Sequence, residues 1–178
     1  IRQDASKINC VPHMLKSSRW FLRMAIRTNF HVIFNIASYH WNDPAIIFEA
    51  ARQDLRCLDL ASLNLMSNKS FLLEVIRSNP RAIVYADKSL ILEVVRSNPR
   101  AIIYAPICLR NDKDIMMEVV KKDPTAILIM SKELKNDFDI MLVAVKKDPR
   151  AIMYASKCLQ GNWMIVMEAV KQDPRAIK

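Results

Sequence analysis

Glycine is almost missing from this sequence: 178 residues hold one, Gly161. Phosphate-cradling loops, dinucleotide-binding turns and most tight hairpins need glycine backbones, so these are excluded. Cysteine is sparse too. Cys10, Cys57, Cys108 and Cys158 are far apart, and no Cys-x-x-Cys occurs. The three histidines, His13, His31 and His40, have no paired spacing with cysteines or carboxylates, so no metal site, cofactor or catalytic cluster is expected. The longest apolar run, Ala101 to Leu109, is far too short for a membrane span, and no signal-peptide pattern opens the chain. The cysteines read as free thiols of a reducing intracellular compartment, cytosol or organelle interior.

What the sequence does hold is a repeat. Asn79-Pro80-Arg81-Ala82-Ile83 returns at Asn98, Asp148 and Asp173, and once more as Asp123-Pro124-Thr125-Ala126-Ile127. The prolines at 80, 99, 124, 149 and 174 are 19, 25, 25 and 25 residues apart. A fixed period of this size marks a stacked array. Counting back by 25 finds proline-free copies at Asp54, Asn29 and Asp4, so the chain opens and closes in mid-repeat and reads as a fragment of a longer array. The expected fold is all-α: an α-solenoid of short two-helix repeats of about 25 residues, one shortened to 19. Residues 1–178 would form a single array, with 1–19 as an irregular partial repeat in which Val11-Pro12-His13 reads as loop or distorted linker.

Within each repeat the punctuation is regular. An Asp or Asn stands before the first helix at Asp43, Asn68, Asp87, Asp112, Asp137 and Asn162, and another before the second at every copy from Asp4 to Asp173. Both residue types satisfy the orphan N–H groups of a helix start. Proline at the first position of the second helix loses nothing. In residues 111–136, Ile115, Met116, Val119 and Val120 mark one face of the first helix, Ala126 to Met130 form an apolar second helix, and Ser131 to Asn136 read as a linker. The short repeat lacks that linker, so Ala86 runs directly into Asp87. Helices this short are not stable alone and must stack.

Two charge patterns follow the period. The arginine after each proline opposes the helix dipole and so needs an outside partner. Compared copy by copy, it keeps company with a glutamate of the following repeat: Arg56 with Glu74, Arg81 with Glu93, Arg100 with Glu118, Arg150 with Glu168. Where the arginine becomes Thr125, the glutamate becomes Val143. Inter-repeat ion pairs are therefore expected. The second pattern is a basic ladder at the end of each first helix, formed by Arg2, Arg27, Arg52, Arg77, Arg96, Lys121, Lys146 and Lys171. It fits a phosphate backbone or an acidic ligand, and equally plain complementation of the helix C-terminus.

Aromatic residues at normally polar positions are the stronger binding clue. Phe138 and Trp163 stand where other repeats carry Lys69, Lys88 and Lys113, and Tyr39, His40 and Trp41 replace a polar linker. All five are candidate partner contacts.

The stretch Asn111-Asp112-Lys113-Asp114-Ile115-Met116-Met117-Glu118-Val119-Val120-Lys121-Lys122-Asp123 and the later Tyr154-Ala155-Ser156-Lys157-Cys158-Leu159 resemble the helical repeats of DUF4116, a domain family of unknown function. The resemblance covers about residues 20 to 178. It departs from the family pattern where proline follows the second cap in place of a favoured glycine, and in the shortened repeat. The family implies a helical repeat and offers no catalytic residues to transfer. The expected function is a non-enzymatic scaffold or protein-docking subunit of a larger assembly. The alternative is an RNA- or acidic-ligand-binding repeat protein that uses the basic ladder, encouraged by a formal charge of +9.

Overall fold

The computed structural model describes residues 4–176. These are helical throughout and contain no strand. Arg2 of the basic ladder and Ile177 of the last pentapeptide lie outside the described residues. No helix among them is long and apolar enough to cross a membrane.

The caps organise the chain as the residue types dictate. Asp112 Oδ1 accepts from the N–H groups of Asp114 and Ile115 at 3.0 and 3.2 Å, opening the helix Lys113–Lys122. This helix buries Ile115, Met116, Val119 and Val120 on one face. It stops at Asp123, whose extended backbone closes the first helix by donating to Val119 O. The Asp123 side chain accepts from Thr125 N–H and so starts the next helix. One aspartate thus ends one helix and begins another, which is why this slot never varies beyond Asp and Asn.

The second helix is a 3-10 helix of six residues, Pro124–Ile129, not an α-helix. The same holds for Ala5–Cys10, Phe30–Asn35, Leu55–Leu60, Pro80–Tyr85, Pro99–Tyr104 and Pro149–Tyr154. In so short a segment the tighter helix closes one more hydrogen bond than an α-helix of equal length. Its three-residue turn buries the Ala-Ile pair, Ala126 and Ile127, and turns Leu128 outward.

The expected linker is also a structural element. Leu134–Asn136 forms a single helical turn, and its counterparts are His13–Lys16, Ser38–Asn42, Leu63–Met66, Ile107–Arg110 and Lys157–Gln160. Full repeats therefore carry three helical elements where two were expected. The reading of residues 1–19 as irregular is corrected by the same pattern. Asp4 caps Ala5–Cys10 by accepting from Ser6 N–H, and Pro12 occupies the cap position of His13–Lys16, just as Pro106 does for Ile107–Arg110. In the short repeat the connector is absent: Ala86 donates to Ile83 O, and Asp87 already caps Leu90.

The chain divides into two compact units, Ile1–Ala82 and Ile83–Lys178, with the boundary inside the 3-10 helix of the short repeat. In the first unit the helix Arg19–Thr28 packs on Pro44–Ala51, which packs on the 3-10 helix Leu55–Leu60. In the second, Lys88–Ser97, Lys113–Lys122, Phe138–Lys147 and Trp163–Gln172 pack each on the next. The core is built from their facing rows; Ile91, Ile115, Met116, Ile140 and Met141 are fully enclosed. Each such side chain contributes about 1.5–3 kcal/mol of burial, which supplies the stability that helices of six to ten residues lack alone.

All four cysteines are free, and Cys57 alone is buried. It fills the small slot held elsewhere by Ala82, Ala101, Ala126 and Ala151. Burial, aided by the negative charges of Asp54 and Asp59, pushes its thiol up to about 12. A thiol reagent at about pH 8 should therefore label Cys10, Cys108 and Cys158 quickly and Cys57 only after denaturation. Equal rates at all four sites would contradict this burial.

Candidate functional site

The charged side chains do link successive repeats, but not in the expected partnership. Arg56 folds back on its own cap, with Nε 2.8 Å from Asp54 Oδ2, and Arg150 approaches Asp148 at 3.6 Å. Arg100 reaches Asp123, the cap of the following repeat, at 3.4 Å. The pairs Arg56–Glu74, Arg100–Glu118 and Arg150–Glu168 are thus corrected. A cation in the first turn, disfavoured by the helix dipole, is met by the cap carboxylate two residues before it or by the next one along. Thr125 substitutes its hydroxyl on the same carboxylate, bonding Asp123. Arg81 belongs to the first unit and Glu93 to the second.

Two of the glutamates, Glu49 and Glu118, are taken instead by the basic ladder. Arg27 Nε lies 2.7 Å from Glu49 Oε1, Arg23 reaches Oε2 at 3.3 Å, and Arg52, the residue that caps the end of Glu49's helix, stands 4.0 Å away. Arg96 approaches Glu118 at 3.6 Å, while Lys121 binds it at 2.7 Å. Glu49 is 4% exposed. Burial alone would raise its pKa, yet the hydrogen bonds and charges of Arg27 and Arg23 outweigh that and hold it below the ordinary value. Arg77, Lys146 and Lys171 are exposed and make no ion pair among the described residues.

A further set of inter-repeat pairs joins the first residue of one long helix to the cap of the next. Lys88 Nζ sits 2.7 Å from Asp112 and 2.9 Å from Asp114. Lys113 Nζ sits 2.8 Å from Asp137 and 2.9 Å from Asp139. Arg19 makes the same contact with Asp43. The two carboxylates beside it raise the Lys113 pKa. Burial would raise Asp137, but the Lys113 hydrogen bond and the cap N–H groups bring it below its usual range. The signal is present in the sequence. A basic residue accompanies an aspartate cap in Arg19–Asp43, Lys69–Asp87, Lys88–Asp112 and Lys113–Asp137, whereas Pro44 and Phe138 accompany Asn68 and Asn162. Installing Phe138→Lys together with Asn162→Asp should recreate the pair. A double-mutant cycle should show favourable coupling of about 0.2–1 kcal/mol; a coupling of zero would mean that the correlation has another origin.

The five aromatic candidates separate. Trp163 opens its helix with 71% of its surface exposed, Tyr39 is likewise exposed, and Phe138 is half-buried. His40 is corrected: it is buried, its ring 4.1 Å from that of Tyr39 between centroids. It helps to line a cavity of about 130 Å³ with Leu22 and Ile36. Burial lowers its pKa, against the opposing effects of a hydrogen bond to the Lys16 backbone and the charge of Asp43. Trp41 is half-buried, and its Nε1 is enclosed with no hydrogen-bond partner. Trp163 and Tyr39 are the two rings of this group that solvent or a partner can reach freely.

The surface that sequence reasoning missed lies on the outer side of the 3-10 helices. Phe34, Val84, Ile103, Leu128 and Met153 occupy one slot and are all exposed, and Tyr104 and Tyr154 follow Ile103 and Met153. The sequence reads this segment as an apolar second helix and singles out none of these residues. Between Pro124–Ile129 and Pro149–Tyr154 runs a groove of about 300 Å³, lined by Leu128, Met153, Tyr154 and Arg150 over Ile127 and Ala151. No group of three His, Cys, Asp or Glu side chains among the described residues is placed to hold a metal ion.

Comparison with curated proteins and with solved structures returns no match. The family model described as Domain of unknown function (DUF4116) matches residues 43–91, 87–135, 119–160 and 137–178, beginning later than the resemblance traced from residue 20. Four overlapping matches cover the chain from the first Asp-Pro cap onward, and the chain belongs to the DUF4116 family of helical repeats.

Proposed function

We propose that this chain is a non-enzymatic α-solenoid of repeats of about 25 residues, one shortened to 19, that serves as a scaffold or protein-docking subunit of a larger assembly. The reading is carried by one observation: large apolar side chains recur exposed at a single slot of the 3-10 helices, in five of seven copies, with Asn9 and Asp59 as the exceptions. A row of this kind is unfavourable in water and suits a partner surface. Trp163 and Tyr39 add exposed rings of the type that anchors interfaces.

The second reading, RNA or another acidic ligand on the basic ladder, is favoured by the unpaired Arg77, Lys146 and Lys171. It is weakened by the engagement of Arg27 and Arg96 with carboxylates. The test is affinity capture with the intact chain, with and without nuclease, read by mass spectrometry, beside retention on immobilised poly(U) across a salt series. Docking predicts nuclease-resistant protein partners that are lost with Trp163→Ala or with serine at the exposed apolar slot. Retention on poly(U) at physiological salt, with no nuclease-resistant partner, would move the assignment to RNA.

A further inference from the structure

We propose that the outer face of the 3-10 helices in the second unit binds an extended, acidic peptide segment with an apolar side chain at every third position. The proposal rests on the docking reading above and names the chemistry of the partner.

Ile103, Leu128 and Met153 hold the same slot in three successive repeats, each with a little over half of its surface exposed. Leu128 and Met153 are opposite walls of the 300 Å³ groove, so one apolar side chain can enter between them. Arg150 lines the groove, and Arg100 holds the equivalent position two repeats earlier, with side chains 73% and 87% exposed. Each holds its aspartate only at 3.4–3.6 Å, leaving most of its donors free for a second carboxylate.

The spacing selects the form of the ligand. Packed helices stand about 8–10 Å apart. A polyproline-type extended chain repeats every three residues with a rise of about 9.3 Å. Side chains at every third position therefore meet successive repeats, and the residues between them face the arginines. Single-stranded RNA needs ring surfaces for stacking on successive repeats; Tyr104 and Tyr154 only flank a row whose own residues are aliphatic, and the intervening repeat has Ile129 at their position, which favours a peptide.

The test uses the whole chain and fluorescein-labelled (Leu-Glu-Pro)4, followed by anisotropy at 150 mM salt. A scrambled peptide of the same composition, (Leu-Lys-Pro)4 and labelled oligouridylate serve as competitors. The expected result is that (Leu-Glu-Pro)4 binds at least about tenfold more tightly than the other three. Leu128→Ser with Met153→Ser, and separately Arg100→Glu with Arg150→Glu, should each weaken it about tenfold or more while the circular-dichroism melt stays unchanged. Equal binding of the scrambled peptide, indifference to Leu128→Ser/Met153→Ser, or preferential binding of oligouridylate would each overturn the proposal. Failure here is separable from failure of the docking reading. Nuclease-resistant partners that survive Leu128→Ser/Met153→Ser but are lost with Trp163→Ala leave docking standing and remove the peptide face.

Discussion

Alanine at both Arg23 and Arg27 should destabilise the first unit by about 1–3 kcal/mol, because it leaves the buried Glu49 carboxylate with no hydrogen-bonded counter-charge and only Arg52 at 4.0 Å. The arginine side chains are partly exposed, but Glu49 is not. The loss belongs to the carboxylate, so adding Glu49→Gln to the double variant should recover much of it. Arg77→Ala, at the same slot with no ion pair, should move the unfolding midpoint very little. The pH dependence has a definite sign. Glu49 titrates lower in the folded chain than its ordinary value of 4.5. Its contribution is therefore fully present above that pH and disappears as the pH falls through the depressed folded value. Denaturant titrations at pH 7 and in the acid range would measure both effects. A double variant as stable as the parent at neutral pH would show that Glu49 is satisfied in some other way.

Ile102→Ala should cost about 2–5 kcal/mol, and Ile103→Ala about 0.5 kcal/mol or less. The two residues are chemically identical neighbours, yet Ile102 is 2% exposed and Ile103 52%. In the 3-10 helix Pro99–Tyr104, Ala101 and Ile102 face the core and the next position cannot. A measured difference below about 1 kcal/mol would mean that the outer slot is packed in solution, and it would remove the row on which the docking surface depends.

Much of this architecture was legible in the residues. The two series of Asp and Asn caps marked each helix start, and the alternation of apolar clusters with proline marked the period. The form of the second helix was less so. Pro149-Arg150-Ala151-Ile152-Met153-Tyr154 is apolar enough for either helical geometry, and only the three-residue turn decides that Met153 faces outward. The connectors were hidden because four residues are too few to show a period; their caps, Ser62, Pro106 and Ser156, were the available trace. The ion pairs were misassigned for an instructive reason. The arginine and glutamate slots vary together across copies, but a side chain in the first turn is nearest its own cap. The true partner of Glu49 was Arg27, a residue read as part of the basic ladder. The pairing of Lys88 and Lys113 with the following Asp caps varied just as regularly and was passed over.

The missing connector of the short repeat bears on how such chains change length. The long helix and the 3-10 helix share their boundary aspartate and carry the buried rows, so a deletion inside either would rotate every later core residue. The connector adds one buried leucine, such as Leu134 or Leu159, and its remaining links run to the neighbouring connector, as in Ser156 to Asn136 and Ser62 to Asn42. Removing it whole leaves the Ala86-to-Ile83 hydrogen bond and the Asp87 cap intact. Insertions and deletions should therefore be accepted in quanta of one connector, and grafting Ser131–Asn136 between Ala86 and Asp87 should be tolerated where a three-residue insert is not.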